Sequence, residues 1–276
     1  MSATTTTRPL GLGRTLSDIA VIARRDLIRT LRLPDMLVTS SVMPVIFILM
    51  FTYVFGGAIQ TTLPPAAQGR YVNWLIPGLL AQFALFGSQG AAFRMAEDLA
   101  KGVIDRFRSL PMARSALPAG RTLADLAGTT RTMVLLLAVG LAIGFRWQTS
   151  PLSLLAGVAI ALGFGYAWSW VMTALGLVIR TAEAVQAASF MGAFPLAFTS
   201  SVFVPTQTMP GWLQAFAAHQ PVTVTTNALR GLILGQGALP PGQTVTGQVV
   251  LALVWSAAIT AVFAPLAVRL YRNTVS

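Results

Sequence analysis

The 276-residue chain has no cysteine, one histidine and one lysine. Without cysteine there is no disulfide framework, no thiolate nucleophile and no thiol metal site. The single imidazole, His219, has no companion at ligand spacing and reads as an interfacial side chain. Charge is scarce as well. Only 10% of residues are Asp, Glu, Lys or Arg, where a soluble domain carries about a quarter. What fills the chain is apolar: 55% of it is hydrophobic and the mean hydropathy is strongly positive. The solvent around most of such a chain is a bilayer. Its length is therefore best counted in spans of about 20 residues, each crossing a hydrocarbon core of ~30 Å.

Six apolar runs answer that count: Met36 to Phe55, Trp74 to Phe93, Leu126 to Phe145, Leu152 to Ile179, Ala184 to Val204, and Gln248 to Val268. The fold expected is an all-α integral membrane protein of about six transmembrane helices. The fourth run is long enough to tilt or to carry a turn outside the bilayer. The first begins only at residue 36, behind an Arg-rich segment, and is of full spanning length, which argues against a cleaved leader. Residues 1–13 are expected to be disordered, and residues 14–276 to form a single transmembrane domain without internal repeats.

The net charge of +11 is not the footprint of a nucleic-acid-binding surface, because the basic residues fall in short segments between apolar runs. There they set orientation. Arg8, Arg14, Arg24, Arg25, Arg29 and Arg32 precede the first span. Arg94, Lys101, Arg106, Arg108, Arg114 and Arg121 lie between the second and third. Arg180 follows the fourth, and Arg269 and Arg272 follow the sixth. Against these fifteen stand only Arg70, Arg146 and Arg230 on the other side, with Arg131 inside the start of span three. That bias places both termini in the cytoplasm. All eight carboxylates fall on the same side or at its edge, Asp125 and Glu183 at span ends.

Two cytoplasmic segments have helical pattern but too little hydrophobicity to cross. In the first, Leu16, Ile19, Ala20, Ala23, Leu27 and Leu31 form one stripe and Arg25, Arg29 and Arg32 another face. This suits a helix in the headgroup plane, with its arginines drawn to anionic lipid. In the second, Leu99, Val103, Phe107 and Leu110 share a face, charge pairs occupy the rest, and Pro111 closes the helix. On the outer side only 205–247 is substantial. It is too apolar for a free loop and too broken for a crossing, so re-entrant or interfacial half-helices are expected, with Trp212 near the headgroups.

Span two carries the most informative pattern. Gln82, Phe86, Gln89 and Phe93 recur along one face at i, i+4, i+7 and i+11, and Gly87 and Ala91 form a small-x-x-x-small pair that admits a neighbouring helix. Gln186, Phe190 and Phe194 repeat the amide–aromatic pattern on span five. Amides at membrane depth face protein or a cavity. Two readings stand: helix packing, or a pathway suited to amphipathic molecules. No constellation of carboxylates, histidines or nucleophiles supports an intramembrane enzyme. Arg131, at the edge of its span, can snorkel to the interface.

Several stretches resemble the type-2 ABC exporter permeases. The loop has Glu97 and Asp98, then Gly102, then DRFRSLPMARSALPAGRTLAD (Asp105 to Asp125). This is similar to the acidic start, basic–apolar helix, Leu-Pro and Gly-Arg of that family's cytoplasmic loop. Span three ends in GFR (Gly144 to Arg146). SSVFVPTQTMPGWLQAFAAHQPVTVTTNALRGLILG (Ser200 to Gly235) is similar to the daunorubicin-resistance permease branch. These motifs follow one another on a matching six-span topology over nearly the whole chain.

The resemblance implies a subunit that pairs with a second copy or a sister permease and docks a separate cytoplasmic ABC ATPase. Docking would be through a coupling helix mapping onto Glu97, Asp98, Leu99, Gly102, Val103, Arg106, Phe107, Arg108 and Leu110. ATP and magnesium would sit on that ATPase, since this sequence has no Gly-x-x-x-x-Gly-Lys-Ser/Thr loop. The function implied is export of a hydrophobic or amphipathic compound (drug, polyketide or lipid) across the inner membrane of a bacterium. The alternative class is a secondary transporter or channel for small amphipathic solutes.

Overall fold

The computed structural model describes residues 34–59, 63, 70–100, 116–179 and 181–275. The expected disordered stretch 1–13, the amphipathic helix expected from Leu16 to Arg32, and the loop 101–115 lie outside the described residues. Among the described residues all regular structure is helical. That is what a bilayer imposes, because each backbone amide must find its partner within its own segment.

Helix α1 (Pro34–Met50) runs into a π-helical turn, Phe51–Phe55, and a last turn α2 (Gly56–Ile59). Then come α3 (Tyr71–Gly87), α4 (Gln89–Ala100), α5 (Ala116–Ala142), α6 (Pro151–Val178) and α7 (Ala182–Phe198). The short helices α8 (Gly211–His219) and α9 (Pro221–Leu234) precede the final α10 (Val245–Val275). Local chemistry sets several starts. Ser150 accepts from the Ser153 amide ahead of Pro151, and Thr181 accepts from Ala184. Gln220 accepts from Val222 ahead of Pro221. Such side chains satisfy amides that the first helical turn leaves orphaned, and proline at the first position loses no bond.

Among the described residues five stretches are long and apolar enough to cross a membrane: Ser41–Ile59, Tyr71–Glu97, Thr122–Ala142, Pro151–Val178 and Val245–Tyr271. The fifth span of the sequence reading is shorter than expected. Its helix ends at Phe198 and has 17 residues, about 25 Å at 1.5 Å per residue, less than a full core. The stop is local. Thr199 Oγ1 donates to the Pro195 carbonyl and Ser200 Oγ to that of Ala197, hydroxyls competing for the acceptors that would extend the ladder.

Two other boundaries also moved. Helix continues from span two to Ala100, broken only at Ser88, whose hydroxyl donates to the Leu85 carbonyl. Span three begins ten residues earlier than read, at Ala116, which leaves Asp125 well inside a helix.

Helix α6 is the centre of the bundle, packed against α3, α4, α5, α9 and α10. Its small residues allow this. A Cβ on Gly165 would lie 3.1 Å from the Ala84 carbonyl oxygen of α3, and one on Gly176 only 2.4 Å from that of Ala92 in α4. Helix α7 packs chiefly on α4 and leaves one broad face exposed.

Candidate functional site

The two amide–aromatic faces meet. The Phe86 and Phe190 rings stand 6.2 Å apart, tilted by 33°. Gln82 is wholly buried, and neither of its amide heteroatoms has a hydrogen-bond partner among the described residues; the same holds for Gln89 Nε2. An unpaired amide in an apolar interior costs several kcal/mol by water-to-alkane transfer, ~4–8. Phe93 is exposed, as are Gln186, Phe190 and Phe194 along the open face of α7. From there aromatic contacts continue outward. Phe194 stacks on Phe198 at 4.2 Å, Phe198 meets Phe203 at 5.3 Å, and Phe203 stacks on Phe51 at 4.2 Å. Phe51 belongs to the π-helical turn of span one.

Of the coupling residues, Glu97, Asp98 and Leu99 lie in α4, the direct continuation of span two rather than a detached helix. Gly102, Val103, Arg106, Phe107, Arg108 and Leu110 lie outside the described residues. Just above them Arg94 forms an ion pair with Asp125 of α5, whose side chain is 7% exposed. The sequence reading had counted Arg94 among the charges between spans two and three and Asp125 as a charge at a span end. Arg131 is half-buried.

Sequence reasoning missed the most elaborate polar arrangement. Arg230, counted as an outer-side charge, is completely buried in α9. Its Nη2 donates to the carbonyls of Ser201 (2.7 Å), Val202 (3.0 Å) and Trp74 (3.4 Å), and Nη1 to Ser201 Oγ (3.0 Å). No carboxylate is needed. Two of these carbonyls, those of Ser201 and Val202, belong to the turn after α7, and the third, that of Trp74, lies in the first turn of α3. Ser201 also bonds Asn227 and takes its amide bond to Thr223. A signal was available: Thr223, Asn227 and Arg230 recur at i, i+4 and i+7, a polar stripe along one face of the helix.

Around this anchor the neighbouring segments are knitted together. Tyr71 Oη donates to the Phe203 carbonyl, and the Arg146 amide to Asn73 Oδ1. Arg70 bonds the Gly144 carbonyl, and Thr149 that of Leu232. Beside them an open cavity of about 240 Å³ is lined by Thr52, Tyr53, Gly56, Arg70 and Tyr71 among others. The half-helices expected between spans five and six are α8 and α9. Trp212 of α8 is exposed, whereas nearly all of α9 is buried, so α9 is inserted into the protein rather than laid on its surface. Among the described residues no group of three His, Cys, Asp or Glu gathers at metal-binding range.

These features define a class: a polytopic helical membrane protein whose distinctive groups are buried amides, aromatics and an anchored helical hairpin. Residues 17–234 match the ABC-2 type transporter family. The chain belongs to that family, and is a membrane component of a transporter. It is 35% identical over 240 residues to the daunorubicin resistance ABC transporter permease protein DrrB1 of Streptomyces coeruleorubidus, covering 87% of this chain and 81% of that one. It is 27% identical over 228 residues to the probable doxorubicin resistance ABC transporter permease protein DrrC of Mycobacterium tuberculosis, covering 82% and 78%. A putative transport permease of Cyanophora paradoxa, ycf38, is 23% identical over 223 residues, covering 79% and 74%.

Proposed function

We propose that this chain is the permease subunit of an ATP-driven exporter of hydrophobic or amphipathic compounds. Residues 14–276 act as one permease domain in the inner membrane of a bacterium, with both termini in the cytoplasm. The observation that carries the reading is the likeness, over 87% of the chain, to a permease named for daunorubicin resistance. The meeting of Phe86 and Phe190 beside buried amides supports it, since rings and unpaired amides suit a cargo with both apolar and polar parts.

A separate ABC ATPase holds ATP and magnesium and docks on the segment from Glu97 to Leu110. A second copy or a sister permease completes the path along the open face of α7. Phe107 is the proposed aromatic anchor of the docking segment. Truncating such an anchor costs ~2 kcal/mol or more, about a thirty-fold loss of affinity. The test is ATPase retention on purified permease, together with ATP-dependent daunorubicin transport in vesicles. Phe107→Ala should release the ATPase, or leave it bound with hydrolysis no longer driving transport. Full retention and transport in that variant would place the docking surface elsewhere. Transport by the isolated chain under an ion gradient would favour a secondary transporter instead.

A further inference from the structure

The inner halves of spans two and three meet at two levels. At the upper level a Cβ on Gly87 would lie 2.7 Å from Thr129 Oγ1, so the backbone of α3 rests directly on α5. That hydroxyl donates to the Asp125 carbonyl at 3.0 Å. One residue beyond Gly87 the helix breaks at Ser88, and Gly–Ser pairs are common sites of helix kinks. The lower level lies seven residues on from Gly87 and four back from Thr129. There Arg94 and Asp125 form their ion pair.

Asp125 is almost fully buried, and its Oδ2 has no hydrogen-bond partner among the described residues. Replacing such a pair by apolar groups is often neutral for stability, so its presence calls for a role in specifying one arrangement. Arg94 and Asp125 are 31 positions apart in the chain, and the ion pair joins their two helices directly.

We propose that Arg94 and Asp125 are positioning residues for energy coupling. They tie the inner ends of α4 and α5 into one lever that pivots on the Gly87–Thr129 contact and the Ser88 break. A displacement of the segment between them then reaches Phe86 and Gln82, one and five residues before Gly87. This rests on the reading that the segment from Glu97 to Leu110 docks the ATPase.

The experiment uses the full permease–ATPase complex in proteoliposomes, with daunorubicin as the probe cargo, and compares wild type, Asp125→Asn, Arg94→Gln and the swap Arg94→Asp/Asp125→Arg. In the single variants the ATPase should stay bound and hydrolyse ATP. Transport per ATP should fall at least about fivefold, the low end of coupling between sites, and the swap should restore much of it. A second readout does not need the ATPase. Spin labels on cysteines at the exposed positions Phe93 and Leu123 should give a narrow distance distribution in wild type, a broad one in Asp125→Asn, and a narrow one again in the swap.

A wild-type ratio or a wild-type distribution in Asp125→Asn overturns the tether. So does an uncoupling that the swap does not reverse. Should Asp125→Asn not fold, Arg94→Gln is judged by the same two readouts. Failure of the wild-type permease to hold an ATPase overturns the docking reading alone, and the label distances still decide the tether.

Discussion

The guanidinium carbon of Arg230 stands 3.4 Å above the centroid of the Trp74 ring, with Nη2 shared among the carbonyls of Trp74, Ser201 and Val202. One side chain thereby joins α9, the start of span two and the turn that ends span five. A planar fork can do this where an ammonium cannot, because it stacks on the ring and spreads its donors in that same plane.

Arg230→Met should therefore destabilise the protein strongly. It leaves buried carbonyls without donors, at about 1–3 kcal/mol for each unsatisfied group. Arg230→Lys should be intermediate. The check is thermal unfolding of purified protein in detergent, and a midpoint for Arg230→Met equal to wild type would contradict the anchor.

Close helix contacts make a second, sharper test. Gly176→Ala and Gly78→Ala would place Cβ atoms 2.4 Å from the Ala92 carbonyl oxygen and 2.7 Å from that of Val202. Overpacking of this kind costs about 1–3 kcal/mol. Gly163→Ala and Gly192→Ala meet nothing within 4 Å and should be neutral. If all four variants melt alike, the packing of α6 and α3 described above is wrong.

The cargo surface can be probed through Phe86→Ala combined with Gln89→Leu. This removes one ring of the Phe86–Phe190 contact and the buried amide nitrogen of Gln89. The range of compounds transported should change while the complex still assembles. An unaltered range and affinity would reduce the stripe to helix packing.

Orientation is testable without background, since the chain has no native cysteine. A cysteine replacing the exposed Trp212 should react with a membrane-impermeant thiol reagent in intact cells, and one replacing Ser115 only after lysis. The reverse pattern would invert the proposed topology.

The class was legible in the linear pattern alone. Apolar runs of spanning length with almost no charge can only be membrane helices, because the hydrophobic effect and backbone satisfaction act on each segment separately. Periodicity likewise revealed the Gln82, Phe86, Gln89 stripe and the small face of Gly87, which does receive Thr129 of another helix. Boundaries were less legible. Nothing in hydropathy separates the end of a span from a helix that continues past it, so α4 and α5 ran beyond their apolar cores.

Where the scarce charges go is set by the packing of distant segments. Arg230 and Asp125 looked like interfacial residues, since a lone charge is costly at depth. Their burial depends on acceptors and donors supplied by distant segments, Trp74 and Ser201 for one and Arg94 for the other. A pairing between residues 156 positions apart, as between Arg230 and Trp74, leaves no mark on local pattern. It exists only once α3, α7 and α9 have packed together.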